Sequence, residues 1–434
     1  MNGESRRRFM AQAGALTAAP WLADVLRAEE AARPNVPAGA RVGDVFVLPA
    51  TPETTQWGWF DNAQPPVLRV RSGDRVSMET QMAAANQVLP GVSIEEITRL
   101  RLAFPGRGPH TITGPIFVEE AEPGDVLRIR IERIVPRTYG ANWNLPGDLG
   151  LGQFPERFPE GRVRYFYFDL KKAITRFAPD IQIPLRPFPG VLGVARAEAG
   201  RYSTVPPGPF GGNMDVREMV EGTTLYLPVF VEGALLWSGD SHAAQGNGEI
   251  NLTAIETAFN ELRLHIEVIK RKPMAWPRIE TPTHWITVGY DRDLNKALEI
   301  LKSETSTFLA ETQDIAPEKT QEWMATRYDC RVAEVVNQMK GVFCMIPKKG
   351  VKLKRGVRPL KETPRYFATS AASPDLQTAM NEAAFSMIEQ IAKRKNLSIL
   401  DAYSLMSLTM DSRLGDIAES RKTVHCMVPK NLWV

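Results

Sequence analysis

Asp240 and His242 are separated by one residue, and in an extended segment such a pair points roughly the same way. A carboxylate and an imidazole facing one point suit a divalent ion, zinc or alternatively calcium. Two protein ligands rarely complete such a site, so His110 and Asp215 are the candidates to extend it. Glu249, which follows Gly248, is the candidate general base, and His242 is counted with it among the catalytic residues. Gly212 and Asn213 stand just before Asp215, where a flexible backbone and a side-chain amide could orient a substrate. A plainer reading competes at each point. Asp240 could cap a tight turn with His242 hydrogen-bonded beside it, Asn213 and Asp215 could make an ordinary turn after two glycines, and Glu249 could be a surface turn residue.

The elements that must position these groups lie in residues 210–256. Residues 224–236 are apolar with Tyr, Val, Phe and one charge, which predicts strands in a buried sheet. Gly-rich, acid-bearing loops are expected at both ends of that sheet, hung on a rigid scaffold. Residues 139–159 read as a long Gly/Pro/Asn loop able to close over a small substrate, with Trp143, Phe210 or Trp237 lining the pocket. Strand–turn–strand patterns recur at 67–80, 116–134 and around 221–225, which predicts a β-sandwich or distorted barrel. Residues 260–269 alternate cleanly and put His265 on the solvent face.

The C-terminal third repeats itself. A shift of 82 residues carries Asp329 onto Asp411, Arg331 onto Arg413 and Cys344-Met345 onto Cys426-Met427, without a gap. Each copy is expected to hold a long amphipathic helix, a shorter helix and an apolar strand. Two copies are too few for a solenoid and should pack as a pair. The fold class is therefore α+β: a β-rich catalytic domain over 33–283, then a duplicated helix-helix-strand region over 284–434, with copies at about 284–348 and 366–430. The basic stretch 348–365 reads as a solvated linker, and His284 and His425 as structural.

Four segments also carry a resemblance. Gly-Gly-Asn-Met-Asp at 211–215, Leu-Pro-Val-x-Val-x-Gly-Ala-Leu at 227–235, Gly-Asp-x-His-Ala-x-Gln-Gly-x-Gly-Glu at 239–249 and Thr-Ala-Ile-Glu at 253–256 resemble the acetamidase/formamidase family in order and spacing. Pro-His-x-x-x-Gly-Pro at 109–115 resembles a further family segment and raises the standing of His110. The resemblance implies hydrolysis of a short aliphatic amide to a carboxylate and ammonia. Other amide-cleaving devices lack their residues: there is no Gly/Ser-rich nucleophile loop, and Cys330, Cys344 and Cys426 all lie in the C-terminal third. Metal-activated water remains. The alternative is a binding protein that keeps the fold and captures a small polar metabolite.

Composition bounds the rest. The chain has 434 residues, 43% apolar and 24% charged, and its net charge of +3 is too small to suggest a nucleic-acid partner. Three cysteines without close spacing predict neither a metal cluster nor a disulfide framework, and Cys344 and Cys426 read as strand packing. Ser5-Arg6-Arg7-Arg8-Phe9-Met10, followed by an Ala-rich apolar run, resembles a twin-arginine export signal over 1–32, which predicts a periplasmic or secreted protein. The competing reading is an ordinary basic N-terminal helix. The run is too short for a permanent membrane span. The expected partners are a small amide substrate and a second copy of the chain, as a homodimer.

Overall fold

The structure, a computed structural model, describes residues 37–351 and 361–434. The twin-arginine segment and residues 352–360 of the basic linker lie outside the described residues. The fold is mixed α/β and strand-rich, built on one 13-stranded and one 11-stranded sheet.

The strand Phe259–Ile269 shows how the sequence pattern becomes the first sheet. It pairs on one side with Val126–Pro136 and on the other with Arg75–Met78. Leu262, Leu264 and Ile266 are fully buried, while His265 is half-buried on the opposite face beside Glu267. Alternation with period two sends one set of side chains inward. In the second sheet Leu236–His242 runs between Phe188–Val194 and Thr111–Val118. The inward residues of both sheets, among them Ile129, Leu225 and Leu264 from one and Ile116, Val191 and Trp237 from the other, share one apolar cluster. Burying each such side chain contributes roughly 1.5–3 kcal/mol. Trp237 is fully buried in this core against Phe60, and Phe210 packs on the same ring, so neither lines a substrate pocket as expected.

The first sheet continues across position 284. Arg278–Glu280 pairs antiparallel with His284–Asp291, and the order then runs through Lys340–Pro347, Asp329–Glu334, Asp411–Ala418, Arg421–Pro429 and Tyr366–Ser373. Two helices of 20 residues, Leu294–Gln313 and Leu376–Lys395, bury their apolar stripes on it. Each starts where an Asp, Asp293 or Asp375, accepts a backbone N–H of the first turn, and each ends on a left-handed residue, Asp314 or Asn396. Segments 284–348 and 366–430 thus each hold a leading strand, a long helix, the shorter helix Thr320–Thr326 or Ile399–Thr409, and a closing hairpin. The leading strand and the hairpin are additions to the helix-helix-strand expectation. The copies meet where Arg331 stands opposite Arg413.

Two expectations need correction. Residues 139–144 are not loop but the buried strand Tyr139–Asn144, in which bare Gly140 admits the neighbouring strand: a Cβ there would lie 2.6 Å from the Glu256 carbonyl oxygen. Cys330 and Cys344 are disulfide-bonded, because antiparallel register sets them opposite one another; a spacing of 14 residues does not reveal that. In the second copy Ser412 and Cys426 hold the matching positions, and Cys426 is a free, buried thiol. Among the described residues, no helix is long and apolar enough to cross a membrane.

Candidate functional site

Gly239, Asp240, Ser241 and His242 end the strand Leu236–His242, whose seven residues are all buried, and do not form a loop after it. Period two puts Asp240 and His242 on one face. His242 stands opposite Phe188 on one side and Glu256 on the other. Its Nε2 lies 3.3 Å from Asp240 Oδ2 and 3.3 Å from Glu256 Oε2, and its Nδ1 lies 3.6 Å from Asp215 Oδ1. His110 Nε2 approaches the other Asp240 oxygen, Oδ1, at 3.6 Å. His110 Nδ1 sits 3.1 Å from the Thr204 hydroxyl and 3.2 Å from the Thr204 carbonyl, contacts that hold the ring with Nε2 toward Asp240.

Asp215 is brought in by backbone. The Gly190 carbonyl accepts from Met214 and Asp215 N–H, and Tyr290 Oη donates to the Met214 carbonyl at 2.7 Å. Gly190 itself must stay bare: a Cβ there would lie 2.6 Å from Asp240 Oδ2, 2.6 Å from His242 Cε1 and 2.7 Å from Asp215 Oδ1. Asp215, Asp240 and Glu249 all adopt left-handed backbone, with φ of 49°, 48° and 48°. Non-glycine residues seldom take that conformation, and strain of this kind collects at functional sites.

Burial dominates the electrostatics. It pushes the Asp215 carboxyl up to about 8, with Asp240 and Glu256 adding to the rise, and pushes Glu256 up to about 7. Glu249 is raised well above the carboxylate range by burial and by the Asp215 charge. His110 is lowered by burial. Asp240 goes the other way: His110 and His242 overcome its burial and hold it below the usual range. Burial also works against a charged His242, but Glu256 and Asp240 carry it well above its ordinary value.

The donor set fits a divalent cation. Neither ring nitrogen of His242 makes a hydrogen bond, nor does Asp215 Oδ1, although all three atoms are buried. Asp215, Asp240 and His242 present ligand atoms within 4.8 Å of one another, as do His242, Glu249 and Glu256. Carboxylate oxygens with imidazole suit zinc, and an oxygen-rich set suits calcium. The other expected residues stand farther back. Asn213 is buried and donates to the Val205 carbonyl at 3.1 Å, and Gly212 pairs with Leu192. Trp143 lines a cavity of about 30 Å³ with Trp57, Leu100 and Pro109, next to His110 in the chain rather than among the acids.

Two residues that reasoning from sequence left without a role join the cluster. Glu256 ends the Thr-Ala-Ile-Glu segment, so that motif already held the signal. Asn337 arrives from the C-terminal half, its Nδ2 donating to Asp215 Oδ2 at 2.5 Å and to Glu249 Oε2 at 3.3 Å. Nothing local in the sequence marks it.

Residues 50–201 and 195–433 match the sequence model of the Acetamidase/Formamidase family. The chain belongs to the acetamidase/formamidase family. Among its family relatives, the acetamidase of Mycolicibacterium smegmatis is 27% identical over 263 residues, which is 48% of this chain and 64% of that protein. The formamidase of Methylophilus methylotrophus is 25% identical over 278 residues, 51% of this chain and 67% of the relative. The crystal structure of an acetamidase from Bacillus halodurans is similar at a TM-score of 0.63 and 30% identity, over 70% of this chain and 97% of the other.

Proposed function

We propose that this protein hydrolyses the C–N bond of a short aliphatic amide, of formamide or acetamide size, giving a carboxylate and ammonia. The observation that carries the reading is the buried cluster around His242, with unpartnered imidazole nitrogens facing Asp215, Asp240 and Glu256 in a chain of this family. Asp240 and His242 would hold a divalent ion, zinc or calcium, with Asp215, Glu256 and His110 available to complete the set. When bound, such an ion supplies Lewis-acid polarisation of a carbonyl and lowers the pKa of water.

The chain's own groups divide the remaining work. Glu249 is buried with ligand atoms beside those of His242 and Glu256, where it would take the proton of the attacking water and pass it to the departing nitrogen. Water adds to the carbonyl carbon, the C–N bond breaks, and the amine leaves with the proton Glu249 returns. Ordered strands and the left-handed turns fix these groups before substrate arrives, which favours the transition state.

The proposed setting is the periplasm or the exterior, reached by twin-arginine export of a folded, metal-loaded chain, supported by Ser5-Arg6-Arg7-Arg8-Phe9-Met10. The proposed architecture is a β-sandwich catalytic half followed by a unit duplicated at 82 residues, working as a homodimer. Metal analysis of the purified protein, followed by an ammonia-release screen over small amides, tests the function. A metal-loaded protein that released no ammonia from any of them would sink it.

A further inference from the structure

The hairpin that closes the first C-terminal copy opens before its tip. Its last paired position is Glu334 opposite Gly341. In the second copy the ladder continues to Ile417 opposite Lys422 and Ala418 opposite Arg421. The segment released in the first copy turns onto the loop that carries Glu249. Gly248 N–H donates to the Ala333 carbonyl at 2.9 Å, and Val335 N–H donates to the Gly248 carbonyl at 3.1 Å. Fully buried Glu334 accepts the N–H groups of Val336 and Asn337 at Oε2, at 3.0 and 3.1 Å. That turn delivers the Asn337 side chain between Asp215 and Glu249. The matching positions 82 residues on, Asp416 and Glu419, are exposed. One copy has been turned to the site and its twin has not.

We propose that Asn337 is a positioning residue of the metal centre, held there by the Glu334 turn. It rests on the metal reading above. A carboxylate rotates easily about its last torsion, which is broad and roughly two-fold. The Asn337 amide has two hydrogens, one for each carboxylate oxygen it meets. Donating to Asp215 Oδ2 leaves Oδ1 facing His242, and donating to Glu249 Oε2 fixes the base beside it. The first of the two C-terminal copies thereby completes a centre whose ligands all come from the N-terminal half.

The test uses the full-length chain and the ion alone, zinc or calcium, competed against a chromogenic chelator. Asn337→Ala should lower the ion affinity about 10- to 100-fold, the usual effect of removing a hydrogen-bond partner of a ligand. Glu334→Gln keeps the accepting oxygen and should bind like wild type, whereas Glu334→Ala should reproduce the Asn337→Ala loss. A purely structural role would lower the stability of both alanine variants without lowering the ion affinity of the folded protein. Wild-type affinity in both Asn337→Ala and Glu334→Ala overturns the proposal, and so does a wild-type chain that binds neither ion. Should Asn337→Ala fail to fold, the Glu334 pair decides alone. A wild-type chain that binds the ion but hydrolyses no amide removes the proposed reaction and leaves this inference to the affinity comparison.

Discussion

Gly190 has no side chain because three groups of the site stand where one would be. Gly190→Ala should therefore cost about 1–3 kcal/mol by overpacking and lower bound metal at least several-fold, read by elemental analysis of the folded variant. Unchanged metal content would place the acids elsewhere. His242→Ala should lose both metal and amide hydrolysis, since it removes the imidazole that three carboxylates face. Glu249→Gln should keep the metal and lose about 10²–10⁴-fold in turnover, the usual span for a general base. Full metal and full activity in His242→Ala would refute the site. At this scale the sequence was informative where partners are close in the chain: Asp240 and His242 needed only the period of a strand. Asn337 was illegible because its partner Glu249 lies 88 residues away and no pattern links them.

At the scale of elements, the loop 245–249 is moored to the C-terminal half by charge. Arg217, Arg331 and Arg413 surround buried Asp411, which also accepts from Asn247 Nδ2 at 2.6 Å. Burial alone would raise the Asp411 pKa, but the three guanidinium groups hold it far below the usual carboxylate range. A depressed folded pKa means stability that is present above the unfolded value near 4 and lost as pH falls through the folded one. Asp411→Asn should cost about 3–5 kcal/mol at pH 7, because it strips one partner from a buried ion network. The gap from wild type should then shrink by about 1.4 kcal/mol for each pH unit below about 4. Denaturant midpoints at pH 7 and pH 3 check this, and a gap that stayed constant would remove Asp411 from the mooring. The 82-residue shift announced equal spacing of these Asp and Arg residues, but it could not announce that both sets meet on one sheet.

For the whole molecule, one prediction concerns where it works. Arg6→Lys with Arg7→Lys should hold the protein in the cytoplasm, read by cell fractionation, and undiminished delivery across the membrane would exclude twin-arginine export. The sequence by itself determined the local order: alternation made the strand Phe259–Ile269, apolar stripes between Asp caps and left-handed ends made the two 20-residue helices, and motif spacing pointed to Asp240 and His242. Those signals are local because strand and helix periods repeat within a few residues. Tertiary structure alone decided that residues 239–242 are strand rather than loop, that Cys330 meets Cys344, and that Asn337 reaches Asp215. Each of these depends on which strands become neighbours and in what register. Register is set by packing both faces of two large sheets at once, and no single stretch of chain carries that information.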